Sequence, residues 1–113
     1  MPTKYIPPSL KEETNPKHLY EAGCHLIRNG QFKLALTYVE TSIKLDPVQP
    51  TPAHNRNLGW IHYNLEDWPR SKKFYQLGRD GYDALPKKPH VADYLNKRQA
   101  DCQRRLDEVR FKK

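Results

Sequence analysis

The chain has 113 residues, 36% hydrophobic and 29% charged, with a net charge of +7 and a mean hydropathy of −0.98. That length supports one small core but not a core plus a deep catalytic cleft, and the polar balance suits an elongated helical domain better than a compact α/β enzyme. No run approaches the roughly 18 apolar residues of a membrane span, and MPTKYIPPSLKEET lacks a secretory hydrophobic region, so no transmembrane segment is expected.

Residues 1–15 are predicted to be extended or disordered, ahead of a helical domain over 16–113. Proline holds its predecessor in β or polyproline conformations, so Ile6-Pro7-Pro8-Ser9-Leu10 reads as a lead-in rather than as a segment occupying the binding face. Asn15-Pro16 then pairs a good N-cap with the residue that best tolerates the first helical position. A helix is predicted from Pro16 to Asn29, with Leu19, Ala22, Gly23 and Leu26 on one face, and Asn29-Gly30 ends it. The next carries Phe32, Leu34, Ala35, Leu36, Val39 and Ile43 and stops at Asp46-Pro47.

The pattern then recurs. Thr51-Pro52 follows Asn15-Pro16 by 36 residues, Gly59 follows Gly23 by 36, and Glu66 and Trp68 fall in register with Gly30 and Phe32. Leu58, Gly59, Ile61 and His62 precede a turn at Leu65-Glu66-Asp67. A helix with Pro69 in its first turn and Phe74, Tyr75 and Leu77 along it fades at Leu85-Pro86, where Gly81 is expected to tolerate alanine. From Pro89 one long helix is predicted, with Val91, Leu95, Cys102, Leu106 and Val109 near heptad spacing. The repeats span 16–49 and 52–86, and the last helix spans 89–112.

These residues resemble the tetratricopeptide repeat (TPR), a helix–turn–helix unit of about 34 residues. Gly23, Gly30-Gln31-Phe32, Ala35 and Leu45-Asp46-Pro47 carry the likeness in the first unit; Asn57-Leu58-Gly59, Trp68 and Tyr75 carry it in the second. Ser71 and Gly78 stand where the family has alanines, and His62 where it has an aromatic. The resemblance implies an all-α fold, two repeats in a right-handed superhelical stack closed by a capping helix. Gly23 and Gly59 are expected to let paired helices approach closely.

In the TPR frame, Lys17, Tyr20, Cys24, Ile27 and Arg28 face a concave groove from the first unit. Arg56, Asn57, Trp60, Tyr63 and Asn64 do so from the second, and Lys97 from the last helix. Aromatics ringed by bases suit a peptide or helix of a partner protein with apolar anchors and acidic neighbours. Packing of Trp60 against the capping helix or the N-terminal segment is the competing reading. Trp68, equivalent to Phe32, is expected in the core. Family members that clamp a chaperone's C-terminal carboxylate use Lys and Asn where this chain has Tyr20 and Cys24, and Lys and Arg where it has His90 and Tyr94; only Asn57 agrees, so that clamp is absent.

No enzyme, metal or cofactor is expected. His18, His25, His54, His62 and His90 lack zinc-ligand spacing, there is no glycine-rich phosphate loop, and no Ser or Cys lies beside a clear base. Cys24 and Cys102 fit reduced thiols better than a disulfide. Charge is uneven: residues 1–85 carry eleven Lys/Arg against nine Asp/Glu, residues 86–113 nine against four. Asp93, Asp101, Asp107 and Glu108 interrupt this basic end, and stacking aromatics do not interleave it as single-strand binding prefers, which disfavours nucleic acid. The expectation is a cytoplasmic adapter, co-chaperone or chaperone, or one held at the cytosolic face of a membrane by its partner. A basic nucleic-acid-binding module, a structural subunit of a larger assembly, and a homo-oligomer stay open.

Overall fold

A computed structural model describes residues 5–46, 48 and 50–112. Residues 1–4 of the lead-in, the closing Pro47 and Gln49 of the first repeat, and Lys113 lie outside the described residues. The described chain is all-helical: α1 (Pro16–Arg28), α2 (Phe32–Leu45), α3 (Pro52–Asn64), α4 (Trp68–Ala84) and α5 (Pro89–Val109), with no strand among the described residues. None of these helices is long and apolar enough to cross a membrane. The chain divides into two compact units, residues 1–49 and 50–113.

Local chemistry accounts for the helix starts. Asn15 Oδ1 accepts from Lys17 N at 2.9 Å, Thr51 Oγ1 from His54 N at 3.2 Å, and Asp67 Oδ1 from Arg70 N at 3.3 Å. Each cap satisfies an N–H with no partner inside the helix, and its loss costs about 1 kcal/mol. Pro16, Pro52, Pro69 and Pro89 occupy first-turn positions, where a missing N–H costs little. Gln31 and Lys88, which cap α2 and α5, make no side-chain cap bond.

In the first unit α1 buries Leu19, Ala22, Gly23 and Leu26 against Ala35, Tyr38 and Val39 of α2. The turn is set by hydrogen bonds: Gly30 N donates to Ile27 O at 3.0 Å and Gln31 N to Leu26 O at 2.9 Å, with Gly30 at φ +76°. These are the paired bonds of a Schellman motif. Residues 5–13 lie against this unit. The Tyr5 ring stacks on His25 at 4.8 Å, and Tyr38 Oη donates to the Pro8 carbonyl. Neither His25 nor Tyr38 belongs to the expected binding face.

The second unit uses the same turn. Glu66 N donates to Tyr63 O at 3.1 Å and Asp67 N to His62 O at 2.9 Å, each bond 36 residues after its counterpart. Here the left-handed position is Glu66, at φ +59°. α4 runs from Trp68 to Ala84 and ends at the Leu85 cap, as expected, and α5 packs along it, so Tyr75, Tyr82, Leu95 and Cys102 form a core with Trp60, Val91 and Leu106 against it. Ser71, in the alanine position, is buried and donates from Oγ to Gly59 O at 2.9 Å.

The two close approaches expected from the sequence are present. A Cβ on Gly23 would lie 2.7 Å from Val39 Cγ2, and one on Gly59 would lie 2.7 to 2.9 Å from three ring atoms of Tyr75. Gly81 departs from expectation: a Cβ there would meet Pro52 Cγ at 2.7 Å, because α4 continues past the first turn of α3. Gly59→Ala should therefore lower stability by about 1–3 kcal/mol, since the Tyr75 ring is fully buried and has nowhere to swing. Glu66→Gly should raise it by about 0.5–1 kcal/mol by relieving a left-handed backbone. Urea unfolding of both variants measures the two effects; equal midpoints for Gly59→Ala and wild type would refute the tight α3–α4 contact.

Candidate protein-binding surface

Of the residues expected to meet a partner, the first unit holds Lys17, Tyr20, Cys24, Ile27 and Arg28 along α1. Lys17 and Arg28 are exposed, and Tyr20, Cys24 and Ile27 are half-buried. They lie on a face turned away from Leu19, Ala22 and Leu26, as a period of 3.6 residues requires. Arg28 Nη1 sits 3.3 Å from His25 Nδ1.

The second unit gathers its candidates more tightly. Trp60 and Tyr63, one turn apart on α3, stack at 5.3 Å with planes 15° apart. The Arg105 guanidinium of α5 lies over both rings, 4.4 Å from the Trp60 centroid and 5.6 Å from that of Tyr63. Trp68 meets Tyr63 edge-on at 5.4 Å, and Lys112 Nζ stands 4.8 Å over Trp68. Trp68 is thus half-buried in an aromatic row with cations over its rings, not in the core where Phe32's register placed it. Arrangements of this kind contribute about 0.5–2 kcal/mol per cation, more as water is excluded.

One turn before Trp60, Arg56 donates to Asp101 Oδ2 at 3.2 Å, and Arg104 holds the other carboxylate oxygen at 2.6 Å. Burial works against the Arg56 charge, but the fields of Tyr82 and Asp101 outweigh it and hold the guanidinium above its usual value. Burial likewise pushes Asp101 up, yet hydrogen bonds from Arg104 and Arg56 prevail and leave its carboxyl below the ordinary range. Asn64 donates from Nδ2 to Trp60 O at 2.8 Å, and Asn57 is half-buried on the same helix. Lys97 stands apart: it is exposed and pairs with Asp93 at 3.1 Å, one turn back on α5.

Two members of this surface escaped the sequence reading in part. Asp101 counted only as an interruption of the basic end, and Arg105 only toward its charge. Arg105 lies four residues after Asp101, so extending the α5 stripe one turn further reaches it. His62, which stands where the family has an aromatic, is buried with its ring parallel to Phe74 at 5.4 Å and Nδ1 3.9 Å from Asp67 Oδ2. Cys102 is fully buried and burial raises its thiol pKa to about 11, whereas Cys24 is half-buried; neither forms a disulfide among the described residues.

Comparison with protein-family models, curated proteins and solved structures returned no match.

Two measurements check this geometry. Because Asp101 is depressed in the folded protein, its contribution is complete above the unfolded carboxyl value and is lost as pH falls through the lower folded one. Asp101→Asn should cost about 1 kcal/mol at pH 7, and its gap to wild type should close only below about pH 4. A gap that stays constant from pH 7 to 2.5 would show that the pair carries no net interaction. With a thiol reagent at pH 7, one thiol should react readily, and Cys102 about a hundredfold more slowly than an ordinary cysteine from its thiolate population alone. Urea should abolish that protection.

Proposed function

We propose that this chain is a non-enzymatic protein–protein interaction module of the tetratricopeptide type, an adapter, co-chaperone or chaperone of the cytoplasm. The observation that carries the reading is the recurrence at 36 residues of one hairpin design. Cap plus proline (Asn15-Pro16, Thr51-Pro52), a glycine against the partner helix (Gly23, Gly59) and the same pair of turn hydrogen bonds appear twice. Identical spacing of cap, contact and turn is how repeat proteins present equivalent helix faces for binding.

On that reading, the outward face of α1 and the outward face of α3 each offer contacts to an extended or helical segment of a partner protein. Tyr20, Ile27, Trp60 and Tyr63 supply apolar and aromatic contact, and Arg28 and Arg56 favour acidic neighbours. Arg105 covers one side of Trp60, which leaves the indole as a rim for the partner rather than an open pocket. A steep salt dependence would instead favour the nucleic-acid alternative.

The test is affinity capture with wild type, Tyr20→Ala, Trp60→Ala and Arg28→Ala, with helix content followed by circular dichroism. A specific partner should be held about 2 kcal/mol less tightly by at least one aromatic variant, mainly through faster dissociation. Arg28→Ala should cost less, and its effect should fade in high salt. If every captured protein binds all folded variants as it binds wild type, these faces are not the binding surface.

A further inference from the structure

We propose that the depression between α4 and α5 binds a phosphate monoester carried on a side chain of a partner protein. This site is separate from the α1 and α3 faces, and the reading stands or falls without them. The depression measures about 270 Å³ and is lined by Lys72, Gln76 and Arg79 of α4, and by Gln103, Leu106 and Arg110 at the C-terminal end of α5. Three cations and two amides line it, with no carboxylate among the lining residues.

The cations are held rather than splayed. Arg79 donates from Nε to Asp80 Oδ1 at 3.0 Å and from Nη1 to Gln103 Oε1 at 3.0 Å. That directs the remaining edge of its guanidinium, where an oxygen pair can dock. Gln103 is braced in turn, donating from Nε2 to Asp107 Oδ1 at 3.1 Å. Lys72 Nζ reaches Arg110 O at 3.4 Å, so the ammonium is kept at the α5 end, and Arg110 pairs with Asp107 at 3.5 Å. Asp80 and Asp107 are exposed and flank the guanidinium groups from outside, in water that screens them.

The occupant follows from size and charge. A phosphate monoester brings nearly two negative charges and three strong acceptor oxygens, which suits two guanidinium forks and an ammonium. The volume lies just under the range of about 300–1,000 Å³ that takes a whole drug-sized ligand, so it admits one group and its attachment. Leu106 offers an apolar wall for the carbon next to the ester oxygen. No aromatic lines the depression, so nothing there stacks a base as a nucleic-acid strand would require.

The experiment is a ¹H–¹⁵N NMR titration of the full chain with N-acetyl-phosphoserine amide, N-acetyl-serine amide, inorganic phosphate and a short single-stranded oligonucleotide. A saturable response confined to residues 72, 76, 79, 103, 106 and 110 is expected with the phosphoserine compound, none with the serine compound, and a weaker one with inorganic phosphate. Lys72→Gln and Arg110→Gln, both peripheral to the core, should each leave the melting temperature unchanged, and together should weaken binding at least about tenfold. Shifts spread evenly over Lys87, Lys88 and Arg98 would overturn the proposal as general attraction to a basic chain. Equal affinity for inorganic phosphate would overturn the side-chain ester, and tighter binding of the oligonucleotide at the same residues would overturn the protein partner.

Discussion

The missing Cβ atoms of Gly23 and Gly59 set the rest of the arrangement. Val39 and Tyr75 occupy the space those atoms would take, at 2.7 Å. Contact at that distance fixes how each first helix is rotated against its second, because only the glycine side can come so close. Rotation in turn decides what faces outward. A helix advances about 100° per residue, so Tyr20, Cys24 and Ile27 lie to one side of Gly23, within about 100° of it, and Arg56, Trp60 and Tyr63 lie at the same offsets from Gly59. Because both hairpins carry the contact glycine at the same repeat position, the corresponding face recurs with different chemistry.

That chemistry differs most inside. At the positions where α1 buries Leu19 and Leu26, α3 buries Asn55 and His62, and Ser71 replaces the buried Ala35. Ser71 spends its hydroxyl on the Gly59 carbonyl, and His62 lies between Phe74 and Asp67. Asn55 Oδ1 is buried without a hydrogen-bond partner among the described residues, which costs about 1–3 kcal/mol. A pair of helices so polar inside has less apolar surface to bury. The long α5 supplies it, with Leu95, Cys102 and Val109 buried in this unit.

Caps, prolines, glycines and the break at Asn29-Gly30 were legible because each acts within one turn of chain. The second turn was legible only through register: Glu66 gives no local sign of a left-handed backbone, yet it stands where Gly30 does. What stayed hidden was the reach of long side chains between helices distant in sequence. Periodicity tells which side of α5 is apolar; it does not tell that Arg105 crosses onto Trp60 or Lys112 onto Trp68, since a long cationic side chain has many directions open to it. Gly81 failed for a similar reason, because its neighbour Pro52 is 29 residues away. The docking of Tyr5 and Pro8 on His25 and Tyr38 was equally unreadable, as proline restricts a segment's shape but not its resting place.

α5 therefore has two tasks on one helix. Its inner stripe, Leu95, Cys102 and Val109, completes a core, while its flanks supply Asp101 and Arg105 on one side and Gln103 and Arg110 around the basic depression. Substitutions in the stripe would disturb both flanks at once by shifting the helix that carries them. Substitutions at the flanks change charge without opening a cavity, because those heads are partly solvated. Charge on this helix can thus be altered at Arg105 or Arg110 while the packing of Tyr75 and Tyr82 stays intact. The same separation is not available at Trp60, whose ring both packs against the core and faces Arg105.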